Sequence, residues 1–340
     1  MGRSFSDYDE SDVRVRPGKG SRPRSKQRPA HHDAKFGLVV AKDRGRWGVV
    51  LDTGARLQCT RARELKRTSI EVGDRVGVVG DTSGDKDTLA RIVKRADRTS
   101  VLRRTADDTD PYERIIVANA ELMLIVVAAA DPPPRTGFVE RALIAAFVGG
   151  VTPVVCLTKT DLADPSDFER ELDAMGVDVL RTGVEDGVER LRERIAGRVS
   201  ALIGHSGVGK STLVNRIVPE ADRETGAVSG VGKGRHTSTQ SVALEVPGGG
   251  WIIDTPGIRS FGLAHVAPEE IVEVFPDLAE AAERCPRGCA PADGGVRVQL
   301  VPRALWVCRG AKVGAAAVRG LLAALHSNND WELKQLDEDR

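Results

Sequence analysis

Aromatic side chains are scarce in this chain: phenylalanine, tyrosine and tryptophan make up 4% of its 340 residues. Hydrophobic residues still reach 41%, so the cores must be aliphatic, as in the buried strands of parallel α/β sheets. Long apolar runs are missing as well. The longest, Leu122–Ala130, has nine residues, about half of the roughly 18 that a membrane span needs. It suits a buried strand instead. No apolar core follows the N-terminal charges, so neither a secretory signal nor a membrane partner is expected. Cysteine is sparse and odd in number: Cys59, Cys156, Cys285, Cys289 and Cys308 lack the spacing of a disulfide framework. A reduced, cytoplasmic setting follows. Acid is absent from residues 13–30, which hold seven basic side chains between Arg14 and Arg28. Residues 1–35 are therefore expected to form a disordered basic tail, and 329–340 an acidic one. The basic tail reads either as a solvated leader or as an arm drawn to nucleic acid by counterion release.

Residues 36–97 read as all-β. Short alternating runs at Phe36–Lys42, Trp47–Asp52, Ala55–Thr60, Val72–Val79 and Leu89–Ala96 are separated by turn-forming stretches. Five strands in about sixty residues predict an OB-type barrel with Val39, Val49, Leu51, Val76 and Val78 inside. Lys42, Arg44, Arg46, Arg56, Arg61, Arg63, Lys66 and Arg67 decorate it, a basic bias that points to RNA. From Ala118 the pattern changes. Apolar strands at Leu122–Ala129, Pro153–Thr158, Asp178–Arg181 and Ser200–Gly204 alternate with helical stretches at 137–148, 166–175, 187–196 and 210–218. That alternation makes right-handed βαβ units and a parallel sheet. Two short strands follow, Ser241–Val246 and Gly250–Asp254, and beyond Phe261 the chain reads as helical.

The densest chemistry lies at Val199–Val218, where an apolar strand runs into Gly204-x-x-x-x-Gly209-Lys210-Ser211 and then a helix. This is the setting of a Walker A loop, whose backbone amides cradle phosphate. Lys210 would reach the β- and γ-phosphates and Ser211 would bind Mg²⁺. The loop alone does not choose between ATP and GTP. Thr158-Lys159-Thr160-Asp161, at the carboxyl end of a buried strand, supplies the choice. The Asp161 carboxylate can accept from the ring N–H and the exocyclic amine of guanine, a donor pair that adenine lacks. Lys159 would pack its stem on the base. The usual motif starts with Asn, and here Thr158 stands in that place. Arg181-Thr182-Gly183 could add backbone N–H contacts to the guanine carbonyl. Asp254-Thr255-Pro256-Gly257 completes the set, with Asp254 toward Mg²⁺ through water and the Gly257 N–H toward the γ-phosphate. Between them Glu224–Gln240 is glycine-rich and basic, the composition of a switch ordered by Mg²⁺ and γ-phosphate. One hydroxyl of Thr237, Ser238 or Thr239 is its expected metal ligand.

The guanine motif precedes the Walker loop, a rotation of the ordinary GTPase order. In this the chain resembles the ribosome-small-subunit-dependent, circularly permuted GTPases that act in maturation of the small ribosomal subunit. The resemblance covers about 36–289. It is carried by the barrel, Ala118-Asn119, Thr158–Asp161, Gly204–Thr212, Gly234–Thr239 and Asp254–Arg259. It implies a multidomain chain: an OB-type RNA-binding barrel at 36–97, a circularly permuted α/β P-loop GTPase domain at 98–262, and a small helical C-terminal domain at 263–328. The implied GTP contacts are Thr158, Lys159, Thr160, Asp161, Thr182, the loop Gly204, His205, Ser206, Gly207, Val208, Gly209, Lys210, Ser211 and Thr212, and Gly257. Ser211, Asp254 and Thr237 would hold Mg²⁺. The partners expected are GTP or GDP and the small ribosomal subunit with its rRNA, met by a monomer. The subunit would stimulate hydrolysis, and hydrolysis would drive release.

Two positions depart from expectation. Many GTPases place a Gln after the last motif glycine to orient water. Here it is Ile258, so His236 in the switch is the candidate to orient or deprotonate water. His205, inside the Walker loop, is expected to pack locally. The family's zinc site has three cysteines and a histidine. Cys285 and Cys289 match its first pair, but Pro291 takes the histidine place and the next cysteine is Cys308. Tetrahedral zinc needs four donors, so one Zn²⁺ is implied only at an incomplete site. A degenerate site or a local reading-frame error in 290–309 would each account for this. Two further readings stand beside the assembly GTPase: a nucleotide-gated RNA-binding module with negligible intrinsic hydrolysis, which Ile258 favours, and a P-loop ATPase of unrelated role.

Overall fold

The computed structural model describes residues 31–85, 88–105, 113–173, 176–219, 241–255, 263, 266 and 270. The compact unit that begins at Asp33 carries every element named below. Its first five strands are β1 (Lys35–Asp43), β2 (Arg46–Leu51), β3 (Arg56–Arg61), β4 (Arg75–Val79) and β5 (Ala90–Arg95). β1 pairs with both β2 and β4, β3 runs parallel to β5, and β5 returns antiparallel to β4. The ring therefore closes in the order β1-β2-β3-β5-β4, which leaves no open edge. Alternation fills its interior as expected, with Val39, Val49, Leu51, Val76 and Val78 joined by Trp47, Leu57, Cys59 and Ile92. The buried Trp47 indole N–H donates to the Ile70 carbonyl at 3.1 Å, the partner that a buried tryptophan requires.

Val72–Asp74, expected at the head of the fourth strand, is a turn instead. Polar demands explain the difference. Asp74 is fully buried and takes the Arg98 guanidinium on both oxygens, each at 2.7 Å, and the Glu71 amide at 2.7 Å. A carboxylate so placed stays only because it is fully paired. The Val72 and Gly73 carbonyls accept from the Ala118 amide at 3.0 Å and the Asn119 side chain at 2.9 Å. These residues dock the barrel onto the next layer rather than extend a strand.

A hairpin of β6 (Val101–Arg104) and β7 (Arg114–Ala118) follows, one that alternation did not reveal. Its strands are short, arginine-bearing and only partly buried, so they carry little of the period-2 signal. The α/β part comprises β8 (Leu122–Ala128), α1 (Thr136–Val148), β9 (Thr152–Thr158), α2 (Ser166–Asp173), β10 (Asp178–Arg181), α3 (Glu189–Ile195), β11 (Val199–Ile203), α4 (Lys210–Ile217), β12 (Val242–Glu245) and β13 (Trp251–Asp254). The sheet order is β10-β9-β8-β11-β13-β12, parallel except for β12. β8 is buried on both faces. Met123, Ile125 and Val127 join the core around α1, and Leu124, Val126 and Ala128 join the core that takes in α3 and α4. A continuous apolar run is what such a strand needs. β12 also pairs with β1 at Ala41–Val242, so barrel and parallel sheet form one eleven-stranded sheet.

Both described cysteines, Cys59 and Cys156, are free. Burial pushes each thiol up to about 12, which leaves them inert packing groups. No helix among the described residues is long and apolar enough to cross a membrane. Leu263 and Val266 pack into the α1 core. Apart from Glu270, the rest of the expected helical C-terminal domain lies outside the described residues, with Cys285 and Cys289. So do His236, Thr237, Gly257, Ile258 and both tails.

Candidate nucleotide site

β8, β9, β11 and β13 run parallel, so their carboxyl ends open on one edge of the sheet. Residues 204–209 follow β11 there, and α4 starts at Lys210. Gly204, Gly207 and Gly209 all take positive φ, which turns the loop back over the helix N-terminus. Ser206, Ser211 and Thr212 are exposed, while Val208 is buried. The His205 ring lies 4.2 Å from that of Phe138 on α1, the local packing expected of it.

The Lys210 ammonium donates to the Gly204 carbonyl and to the His205 carbonyl at 2.6 Å. Burial lowers its pKa, and the nearby Asp254 opposes that shift. Burial in turn raises the pKa of Asp254, against the pull of Lys210 and of the Thr255 amide. The Asp254 Oδ1 is buried and has no hydrogen-bond partner among the described residues. Thr255 beside it is satisfied, its hydroxyl donating to the Leu202 carbonyl at 2.7 Å. A desolvated carboxylate oxygen with no donor is a hard ligand facing the start of α4, and it fits Mg²⁺.

The base side is built differently. Thr158 is buried at the end of β9, and its hydroxyl donates to the Val208 carbonyl of the phosphate loop at 2.6 Å. That bond joins positions 50 residues apart. Thr158 thus fills the place of the usual Asn with a group that fastens the two motifs together. Lys159 has positive φ and donates to the Asp131 carbonyl. Asp161 is exposed and makes no ion pair among the described residues. Thr160 donates to Asp186 Oδ2 at 2.6 Å, and the same oxygen accepts the Gly183 amide at 2.9 Å. A Cβ added at Gly183 would lie 2.2 Å from the Thr160 hydroxyl, so the two turns touch there.

One expectation is corrected. The Thr182 amide donates to the Leu157 carbonyl at 2.7 Å, within the sheet, and the Gly183 amide is committed to Asp186. Neither is open to a base. Three participants escaped the sequence reading: Asp131, Asp186 and Arg216. No local pattern marks them, because each acts only through a turn brought near by the fold.

The sequence pattern of the RsgA GTPase family matches residues 95–264. A small ribosomal subunit biogenesis GTPase RsgA from Gemmatimonas aurantiaca is 36% identical over 261 residues, covering 73% of this chain and 84% of that protein. Its counterpart in Bacteroides fragilis is 33% identical over 269 residues, covering 74% and 85%. The chain belongs to the RsgA GTPase family. It is therefore a GTPase, and the reading as a P-loop ATPase of unrelated role is set aside. Two solved structures share the fold. YjeQ from Thermotoga maritima matches with a TM-score of 0.59 at 24% identity, over 86% of this chain and 98% of that one. YloQ, a circularly permuted GTPase, matches with 0.58 at 22%, over 88% and 97%. In this RsgA-family chain parallel strands bring both motifs to one edge of the sheet whatever their chain order.

Proposed function

We propose that this RsgA-family GTPase binds GTP between the Thr158–Asp161 turn and the 204–212 loop, and acts on the small ribosomal subunit during its late maturation. The observation that carries the reading is the Thr158–Val208 hydrogen bond, which holds a guanine-type motif against a phosphate loop. Asp161, exposed beside it, reads the base edge, and Lys159 flanks the ring. The amides of 204–212 and the Lys210 ammonium take the phosphates. Ser211 and Asp254 would hold Mg²⁺, with Thr237 joining from the switch, and the ion would supply charge neutralisation for the phosphates. His236 orients the attacking water, and the Gly257 amide senses the γ-phosphate.

The barrel is the RNA-facing part. Lys42 and Arg56 are neutralised by Glu71 and Glu245, but Arg44, Arg46, Arg61 and Arg63 are exposed without ion pairs among the described residues. The pairing of Arg46 with Thr60 sets them at one end of the barrel, where they can neutralise backbone phosphates. The relatives' name, small ribosomal subunit biogenesis GTPase, supports that partner, and such a partner fits a cytoplasmic setting. GTP favours docking, and subunit-stimulated hydrolysis favours release. GTP turnover by the full chain, alone and with isolated small or large subunits, tests this alongside co-sedimentation in GTP and in GDP. Small subunits are expected to raise turnover, and GTP to raise co-sedimentation. His236→Ala should slow the stimulated rate while sparing GTP affinity. Turnover indifferent to small subunits would overturn the proposal.

A further inference from the structure

Arg216 sits nearly two turns along α4 from Lys210 and is half-buried. One of its terminal nitrogens donates to the carbonyls of Thr182 at 2.9 Å and Gly183 at 2.7 Å, and the other donates to the Asp186 carbonyl. A single planar fork thus holds three carbonyls of one loop, the 182–186 turn after β10. The opposite side of that turn is held too. Asp186 accepts from Thr160 of the guanine motif and from the Gly183 amide, and the Asp186 amide closes back on the Gly183 carbonyl at 3.0 Å. The Arg192 side chain of α3 donates to the Arg216 carbonyl at 2.5 Å and steadies the end of α4. The turn is therefore gripped between the base motif and the phosphate helix.

The grip leaves particular donors over. The amides of Thr182, Gly183 and Asp186 are all spent inside the protein. Those of Val184 and Glu185, at the exposed crest, make no hydrogen bond among the described residues. The Val184 side chain is 73% exposed, and Leu162, next to Asp161, is 57% exposed. Two unpaired amides on an exposed crest, with exposed apolar side chains on it and on the neighbouring base motif, suit an aromatic ring with a carbonyl on its edge. We propose that Arg216 is the positioning residue that sets the 182–186 turn so that its crest amides read the purine O6. It acts through the turn's carbonyls and touches no nucleotide. The inference rests on the GTP reading above, and it assigns base discrimination to a second element beside Asp161.

Nucleotide analogues separate the two elements. ITP keeps O6 but lacks the exocyclic amine, so a GTP-to-ITP affinity ratio reports Asp161. 6-Thio-GTP keeps that amine and the ring N–H but replaces O6 with a poor acceptor, so it reports the turn. The full chain, with Mg²⁺ present, is expected to favour GTP over 6-thio-GTP by about three- to tenfold, the worth of one hydrogen bond. Arg216→Met should bring that ratio close to one and leave the GTP-to-ITP ratio unchanged. Arg216→Lys, which keeps the charge but not the fork, should fall between. An unchanged 6-thio ratio in the Met variant would overturn the inference. So would a parallel loss of both ratios, or an equal loss for every nucleotide, since either marks a general packing role. If the Met variant does not fold, the Lys variant decides: an unaltered 6-thio ratio overturns the inference and a lowered one supports it. Wild-type protein that fails to prefer GTP over ATP would defeat the GTP reading itself, an arm that does not involve Arg216.

Discussion

The two ends of the nucleotide site differ in how much of their polar chemistry the protein satisfies by itself. At the base end nearly every group is paired: Thr158 to Val208, Thr160 to Asp186, Thr182 to Leu157, and Arg216 to three carbonyls. At the phosphate end Lys210 lies against carbonyls of its own loop, burial penalises both its charge and that of Asp254, and one Asp254 oxygen has no donor among the described residues. The base end is pre-organised, whereas the phosphate end is held in a costly state that a triphosphate and a cation would complete. Substitutions should therefore act on different quantities at the two ends, binding at one and folding at the other.

Lys210→Met is the strongest test of that division. GTP affinity should drop by more than about 100-fold, since two charge-assisted hydrogen bonds of about 1.5–3 kcal/mol each are lost. The nucleotide-free Tm should move by no more than a few degrees, because a desolvated charge leaves with the side chain. A calorimetric scan that showed a large fall in Tm would erase the contrast. Gly183→Ala tests the other end. Its Cβ would meet the Thr160 hydroxyl at 2.2 Å and the Thr160 amide at 3.2 Å. The strain should cost about 1–3 kcal/mol of stability, read by denaturant unfolding without nucleotide, together with a loss of GTP affinity. Unaltered stability would mean that the base end is looser than its hydrogen bonds imply.

The smallest expected effect is one of pH. The folded protein holds the Asp254 pKa above its ordinary 3.8, so charging this group costs stability above the raised value and nothing below the ordinary one. Its ionised form is the one that would take Mg²⁺. Mg²⁺-dependent GTP affinity should therefore weaken by a few-fold in mild acid, beginning above the ordinary carboxylate range, and Asp254→Asn should flatten the profile. Titration calorimetry across that range measures it, and an identical slope in the variant would assign the pH effect elsewhere.

Much of this architecture is legible in the sequence. Barrel strands announced themselves by alternation, and β8 by an unbroken apolar run, because burial on one face or on two leaves a period in the chain. The glycine-rich loop and the TKTD turn were readable because phosphate and base recognition need fixed residue types at fixed spacing. What stayed hidden had no local period. Val72–Asp74 looked like strand and became a docking turn, since the pairing of Asp74 with Arg98 outweighed β propensity. The β6–β7 hairpin escaped because only three of its nine residues, Leu102, Val117 and Ala118, are buried, too few to set a period. Thr182 looked like a base contact until its amide was found on Leu157.

The sequence alone determined which motifs are present: a glycine-rich loop of the Walker type, a TKTD turn, an aspartate ending a buried strand, and the rotated order that marks the family. Those are properties of neighbouring residues, and a chain records its neighbours. Only the tertiary structure decided how the parts are braced. Thr158 against Val208, Asp186 against Thr160 and Arg216 against the 182–186 turn join positions 26 to 50 residues apart. A hydrogen bond over that separation depends on where two strands end in space, and no spacing along the chain encodes it.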